Sequence, residues 1–244
     1  LYRAAAGPYT LSMTRGILVA GNEAALTVMI AREAAKRVDA VATALIPNRL
    51  GGAGPVLAIG EGSSQIPLGW NPGSPISARS LVLGAKNRLG RIDDAVLVCS
   101  PPAMRKRPAE LSPNDIEVLV NDHIKGWFSL IRELALYFRN AVSAQDQGGT
   151  REGGVLALVV SGISPGGKYD AADIAGPAAA AAFRGFAEGI LSASAGEPYR
   201  ALGFSGGEAG GDEEFAAYVF KVIDEGNRRD SGRWFKFGRL NLFR

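Results

Sequence analysis

Residues 15–46 read RGILVAGNEAALTVMIAREAAKRVDAVATALI, and this stretch decides the fold. Arg15 to Gly21 is a short apolar run closed by glycine, the pattern of a strand buried on both faces. From Glu23 to Val38, Leu26, Met29, Ile30 and Ala34 recur at helical spacing, with Glu33, Lys36 and Arg37 away from them. Asp39 to Ile46 returns to an apolar strand, stopped by Pro47-Asn48. Strand, helix, strand in so short a span is a βαβ unit, which implies parallel pairing.

The alternation continues outward. Pro55 to Ile59 predicts a third strand. Gly60 to Pro75, rich in Gly, Ser and Pro around Trp70, predicts a long loop. Ser77 to Ile92 predicts a helix, and Asp94 to Cys99 a strand stopped by Pro101-Pro102. Ser112-Pro113-Asn114-Asp115 is a helix start, with a capping serine, proline at the first helical position and acid in the first turn. That helix is predicted to run to about Ala141. Val155 to Ser161 reads as a central strand, and Gly176-Pro177 opens an alanine-rich helix to Ser194. Tyr199 to Phe204 predicts a strand, Asp212 to Asp224 a helix, and Trp234 to Phe237 a last strand. Right-handed crossovers then place helices on both faces of the sheet. The expected class is α/β, a doubly wound, Rossmann-like parallel sheet. Neither a linker nor an internal repeat interrupts it, so residues 1–244 are read as one domain with an N-terminal arm (1–14) and a basic, aromatic C-terminal tail (228–244).

Composition narrows the chemistry. The chain has 27 Lys and Arg against 24 Asp and Glu, a net charge of +3, with 47% hydrophobic and 21% charged residues. This is a globular balance, expected of a soluble chain. The longest apolar runs, Val155 to Val160 and Ala178 to Phe183, fall far short of the ~18 residues of a membrane span. A single cysteine, Cys99, excludes an internal disulfide framework and a thiolate-rich metal site. A single histidine, His123, excludes a two-histidine zinc motif, so no metal is expected. Residues 1–22 hold Arg3 and Arg15 and no acid before Glu23. That composition matches an organellar presequence or its remnant and predicts a mitochondrial setting, with a cytoplasmic one as the alternative. In the tail, Arg228, Arg229, Arg233, Lys236, Arg239 and Arg244 interleave with Trp234, Phe235, Phe237, Leu240, Leu242 and Phe243. Such a mixture packs on a core or a protein partner, so no nucleic acid is expected.

Three local patterns stand out. Residues 120–128 read VNDHIKGWF; Gly154 to Ser161 is a glycine-led apolar strand ending in serine; and Ala178 to Leu191 reads AAAAAFRGFAEGIL. Together with the order of elements, they resemble the short-chain dehydrogenase/reductase family from Thr14 to Phe237. The resemblance implies a reaction in which a tyrosine gives a proton to a carbonyl while a nicotinamide cofactor delivers hydride. A lysine four residues later lowers the tyrosine pKa, a serine orients the substrate, and an asparagine supports a water chain. Carried over residue by residue, the serine place is Ser161, the tyrosine place Gly176, the lysine place Ala180 and the asparagine place His123. Four residues after Tyr2, Tyr9, Tyr137, Tyr169, Tyr199 and Tyr218 stand Ala6, Met13, Ala141, Asp173, Gly203 and Val222, so no Tyr-x-x-x-Lys pair exists in the chain. Of the family's Gly-x-x-x-Gly-x-Gly turn only Gly21 remains, with Ala25 and Thr27 at the other two places and Glu23 between. The family's Asn-Asn-Ala-Gly is replaced by Cys99-Ser100-Pro101-Pro102. Gly21 and Arg49, the latter placed to read a ribose phosphate, are the candidate cofactor contacts. No cofactor is expected, NAD(P) being the alternative.

A Ser161–His123 dyad has no Gly-x-Ser-x-Gly elbow around it. Five consecutive alanines with Gly185 and Gly189 give residues 178–194 a slender surface, and residues 114–141 carry more apolar surface than one stripe needs. In the resembling family these two helices meet another subunit. The reading is therefore a catalytically inactive member of that type, a structural or accessory subunit of an oligomer, possessing no catalytic residues. The alternatives are an NAD(P)-dependent reductase with a rearranged site built on Lys168 and Tyr169, or a nucleotide-sensing module.

Overall fold

The computed structural model describes residues 15–47, 49, 65–100, 104, 106–143, 153–161, 173, 175–206 and 211–238. Its elements are β1 (Ile17–Asn22), α1 (Ala25–Ala35), β2 (Val41–Ile46), β3 (Gln65–Pro67), α2 (Pro75–Leu89), β4 (Asp94–Cys99), α3 (Pro113–Val120), α4 (Gly126–Ser143), β5 (Val155–Val160), α5 (Ala175–Ala193), β6 (Arg200–Gly206), α6 (Asp212–Glu225) and β7 (Arg233–Phe237). The strands form one seven-stranded sheet in the order β3-β2-β1-β4-β5-β6-β7, with every pair parallel. This is the doubly wound, Rossmann-like α/β class expected from the alternation.

Burial explains why the central strands are apolar throughout. Side chains alternate between faces. Leu18, Leu97, Leu156 and Leu158 meet Leu81, Leu130, Leu134, Phe138 and Phe183 of α2, α4 and α5. Ile17, Val19, Val96, Val98 and Val159 meet Leu26, Ile30, Val219 and Phe220 of α1 and α6. Trp127 lies edge-on to both Trp70 and Phe183, at 5.3 and 5.2 Å between ring centres. At the opposite, amino edge of the strands, Arg15 pairs with the buried Asp94 and, at 2.6 Å, with Asp224, which also takes Arg37 at 2.7 Å. The aromatic tail packs inward along β7, where Phe235 stacks on Phe204 and Phe237 on Phe215.

Two expectations are corrected. The stretch expected to be a loop from Gly60 to Pro75 contains β3, whose Gln65, Ile66 and Pro67 pair with Val41, Ala42 and Thr43. Among the described residues β3 is the sheet's edge strand with one neighbour, so Pro67, lacking an N–H, is tolerated there. The strand expected at 55–59 lies outside the described residues. The helix expected from Ser112 to about Ala141 runs unbroken from Pro113 to Ser143, as α3 and α4, but is widened midway by a π-turn at Asn121–Lys125. Its start is as expected: Ser112 Oγ accepts from the Asp115 amide at 3.2 Å, and Asp115 accepts from the Ser112 amide at 2.9 Å. No described helix is long and apolar enough to cross a membrane.

Candidate functional site at the carboxyl edge of the sheet

β1 lies between β2 and β4, and the chain leaves β2 and β4 toward opposite sides of it. A crevice opens at such a point beyond the carboxyl ends of the strands. Asn22 is the last residue of β1 and is 3% exposed. Its Oδ1 accepts from the Ser100 amide, just past β4, at 2.8 Å, and its Nδ2 donates to His123 Nδ1 at 3.2 Å. A carboxamide nitrogen only donates, so His123 Nδ1 is an acceptor and the neutral ring carries its proton on Nε2. Burial pushes the His123 pKa down to about 4. The imidazole at this site is therefore neutral at physiological pH, held as a hydrogen-bonded core group.

The π-turn places Asp122 beside it, also buried. Burial raises the Asp122 pKa and Arg49 opposes that rise. Arg49 Nε stands 3.5 Å from Asp122 Oδ2, a buried oxygen that finds no hydrogen-bond partner among the described residues. Ser161 Oγ lies 2.7 Å from Ser100 Oγ. Cys99, at the end of β4, is fully buried, and burial pushes its thiol up. The start of α5 is fixed by Asp173, whose Oδ1 accepts from the amides of Gly176 at 3.0 Å and Met104 at 3.2 Å. Gly176 and Ala180 are both buried on α5. A Cβ on Gly21 would lie 2.7 Å from Thr27 Cγ2 and 2.9 Å from Val98 Cβ, so Gly21 is required for α1 to sit against the sheet.

The structure thus brings Gly21, Arg49, His123 and Ser161 to one edge. Each meets a neighbour there: Thr27, Asp122, Asn22 and Ser100 respectively. Lys168 and Tyr169 lie outside the described residues. Sequence reasoning gave no role to Asn22, Ser100 or Asp122. The available signal was Asn22 itself, a carboxamide next to a run of purely apolar strand residues. Among the described residues no group of His, Cys, Asp and Glu is arranged to hold a metal ion.

A second surface lies on the outer side of α4 and α5. Phe128, 48% exposed, stacks on Phe186 with ring centres 3.7 Å apart. A cleft of about 450 Å³ runs beside them, lined by Ile131, Ala135, Ile190 and Tyr199 among others. Next to it Ala178, Ala181, Gly185 and Gly189 are exposed along one face of α5, and a Cβ on either glycine would meet nothing within 4 Å.

No family model matches the chain, and no curated protein does. Solved structures do. A short chain dehydrogenase from Mycobacterium smegmatis superposes with a TM-score of 0.67 at 17% identity, covering 93% of this chain and 94% of that one. The NADH-dependent reductase A1-R', solved with NAD, gives 0.66 at 14%, covering 92% and 95%. A metagenomic short-chain oxidoreductase solved with NADP gives 0.68 at 14%, covering 92% and 98%. At these identities the likeness is one of architecture: the chain has the short-chain dehydrogenase/reductase fold.

Proposed function

We propose that this chain carries out no oxidoreductase chemistry and acts as a structural or accessory subunit of an oligomer, in a mitochondrial setting. The observation that carries the reading is the outer face of α4 and α5. There a half-exposed Phe128–Phe186 stack adjoins a helix face reduced to Ala178, Ala181, Gly185 and Gly189. A face of that kind lets a second helix approach closely while the two rings bury. The chemistry at the crevice supports the same reading. The tyrosine and lysine places hold Gly176 and Ala180, and the imidazole is neutral and hydrogen-bonded.

The test is the mass in solution, by light scattering, of the wild type and of Gly189→Phe. Because a Cβ at Gly189 meets open space, the variant folds normally as a protomer while its ring blocks a neighbouring helix. A wild-type oligomer or stoichiometric complex that the variant splits is the expected result. A wild-type monomer with no associated protein overturns the proposal. The acid-poor segment at 1–22 motivates the mitochondrial setting, which cell fractionation checks.

One observation favours a second reading. Two of the superposing proteins were solved with NAD or NADP. An NAD(P)-dependent reductase with a rearranged site would take its proton donor from Tyr169, and Tyr169→Phe would abolish NADH- or NADPH-linked turnover. A module that senses the nucleotide would bind it and show no turnover.

A further inference from the structure

We propose that the crevice between β1 and β4 is closed by the protein itself: the Asn22 carboxamide, tied to His123 and to the Ser100 amide, fills the place where doubly wound folds hold a dinucleotide, and the chain takes up neither NADH nor NADPH. Three observations carry this. A dinucleotide-binding turn needs a bare glycine so that the pyrophosphate can approach the backbone. Here the Cβ side of Gly21 is packed by the buried Thr27 and Val98, both under 3 Å from where a Cβ would stand, so its bareness serves the seating of α1 on β1 rather than a phosphate. Second, the backbone donors at the end of β4 are spent or missing. Ser100 gives its N–H to Asn22, and Pro101 and Pro102 have none to give. Third, Asn22 crosses the crevice from β1 to the π-turn with both ends of its amide bonded, so its side chain is held in place.

A parallel tie runs from the other side. Arg49, three residues beyond β2, reaches Asp122 of the same π-turn. Consecutive residues of the turn, Asp122 and His123, thereby hold the ends of β2 and β1 to the start of α4. The first turn of α1 follows Ala24, which offers no side-chain cap, so its amides are not what is lacking. The residues present do not fit a dinucleotide because the crevice in front of those amides is crossed by Asn22, bonded at both ends of its carboxamide.

The experiment combines a melting titration of the full chain with amide hydrogen exchange. With millimolar NADH or NADPH, the wild type is expected to show no shift in Tm; a saturable rise with either overturns the proposal. In Asn22→Leu, close in size and without polar atoms, the Ser100 amide should exchange at least about tenfold faster while Leu97, inside β4, keeps its protection. An unchanged Ser100 amide also overturns it. Should that variant fail to fold, Asn22→Asp keeps the acceptor for Ser100 and removes the donor to His123. Ser100 then stays protected, and the His123 pKa moves up toward its ordinary value, followed by NMR; a wild-type titration in this variant counts against the proposal. The inference stands apart from the subunit reading: nucleotide binding by an intact oligomer defeats only the closed crevice, and a monomer that binds none defeats only the subunit.

Discussion

Replacing His123 with glutamine removes the only imidazole of the chain and leaves a neutral acceptor facing Asn22. The wild-type ring is 2% exposed and titrates at about 4, against the ordinary 6.5. Between those values the unfolded chain takes up a proton that the native state refuses. His123 therefore costs the native state nothing above pH 6.5, and stability is lost as pH falls through the window toward 4, below which the loss is complete. At about 1.4 kcal/mol per pH unit the full interval amounts to about 3 kcal/mol, of which about 2 kcal/mol is gone by about pH 5. Asp94 works the other way in the same window. Burial raises its pKa to about 6 despite Arg15, so its native form gains protons first and is favoured as pH falls from about 6 toward 3.8. The wild-type curve mixes both groups; subtracting the His123→Gln curve cancels Asp94. Urea unfolding, followed by the fluorescence of Trp70, Trp127 and Trp234 at several pH values, measures both proteins. The wild-type advantage over His123→Gln should shrink by about 2 kcal/mol between about pH 7.5 and 5. A pH-independent difference would refute the reasoning, because it would mean that the native ring takes up its proton as freely as the unfolded one.

Arg15→Leu leaves Asp94 buried beside Asp93 without its principal cation, so urea unfolding at neutral pH should show a loss of about 3 kcal/mol, partly recovered in acid as Asp94 protonates. Gly154→Ala would set a Cβ 2.2 Å from Phe138 Cε1 and 2.7 Å from the Asp93 carbonyl oxygen. Since backbone cannot yield there, a loss of about 1–3 kcal/mol is expected, with Tm lowered. Gly185→Ala should instead raise stability by about 0.5–1 kcal/mol, because it relieves a helix-interior glycine in open space.

The fold was legible because a parallel sheet buries both faces of its strands. Runs such as Ile17 to Ala20 and Val155 to Val160 have no polar face to confuse with anything else, and glycine or proline closes several of them. β3 escaped because three residues, Gln65, Ile66 and Pro67, carry no period, and their pairing with β2 depends on a strand that ends some twenty residues earlier. The π-turn escaped for a related reason. A single widened turn inside a long apolar-patterned helix shifts the phase by one residue, which the pattern on either side absorbs.

At the site, the limit was of a different kind. Spacing locates residues that act through a local motif; in the structure Gly21, Arg49, His123 and Ser161 lie at one edge of the sheet, each against a neighbour that no motif names. Asn22 acts through Ser100 and His123, which lie 78 and 101 residues away in the chain, and no local pattern encodes a contact at that range. Thr27 is the plainest case. Against a glycine template it reads as a lost glycine, a side chain standing where a backbone ought to pass. Packed against Gly21 it is the reason that glycine is kept at all, since any Cβ there would strike Thr27 or Val98. Gly21 is thus explained by the packing of α1 on β1, with no phosphate in the argument. Retention of one glycine from a binding motif is accordingly no sign of retained binding, and the melting titration, rather than the motif, is what decides.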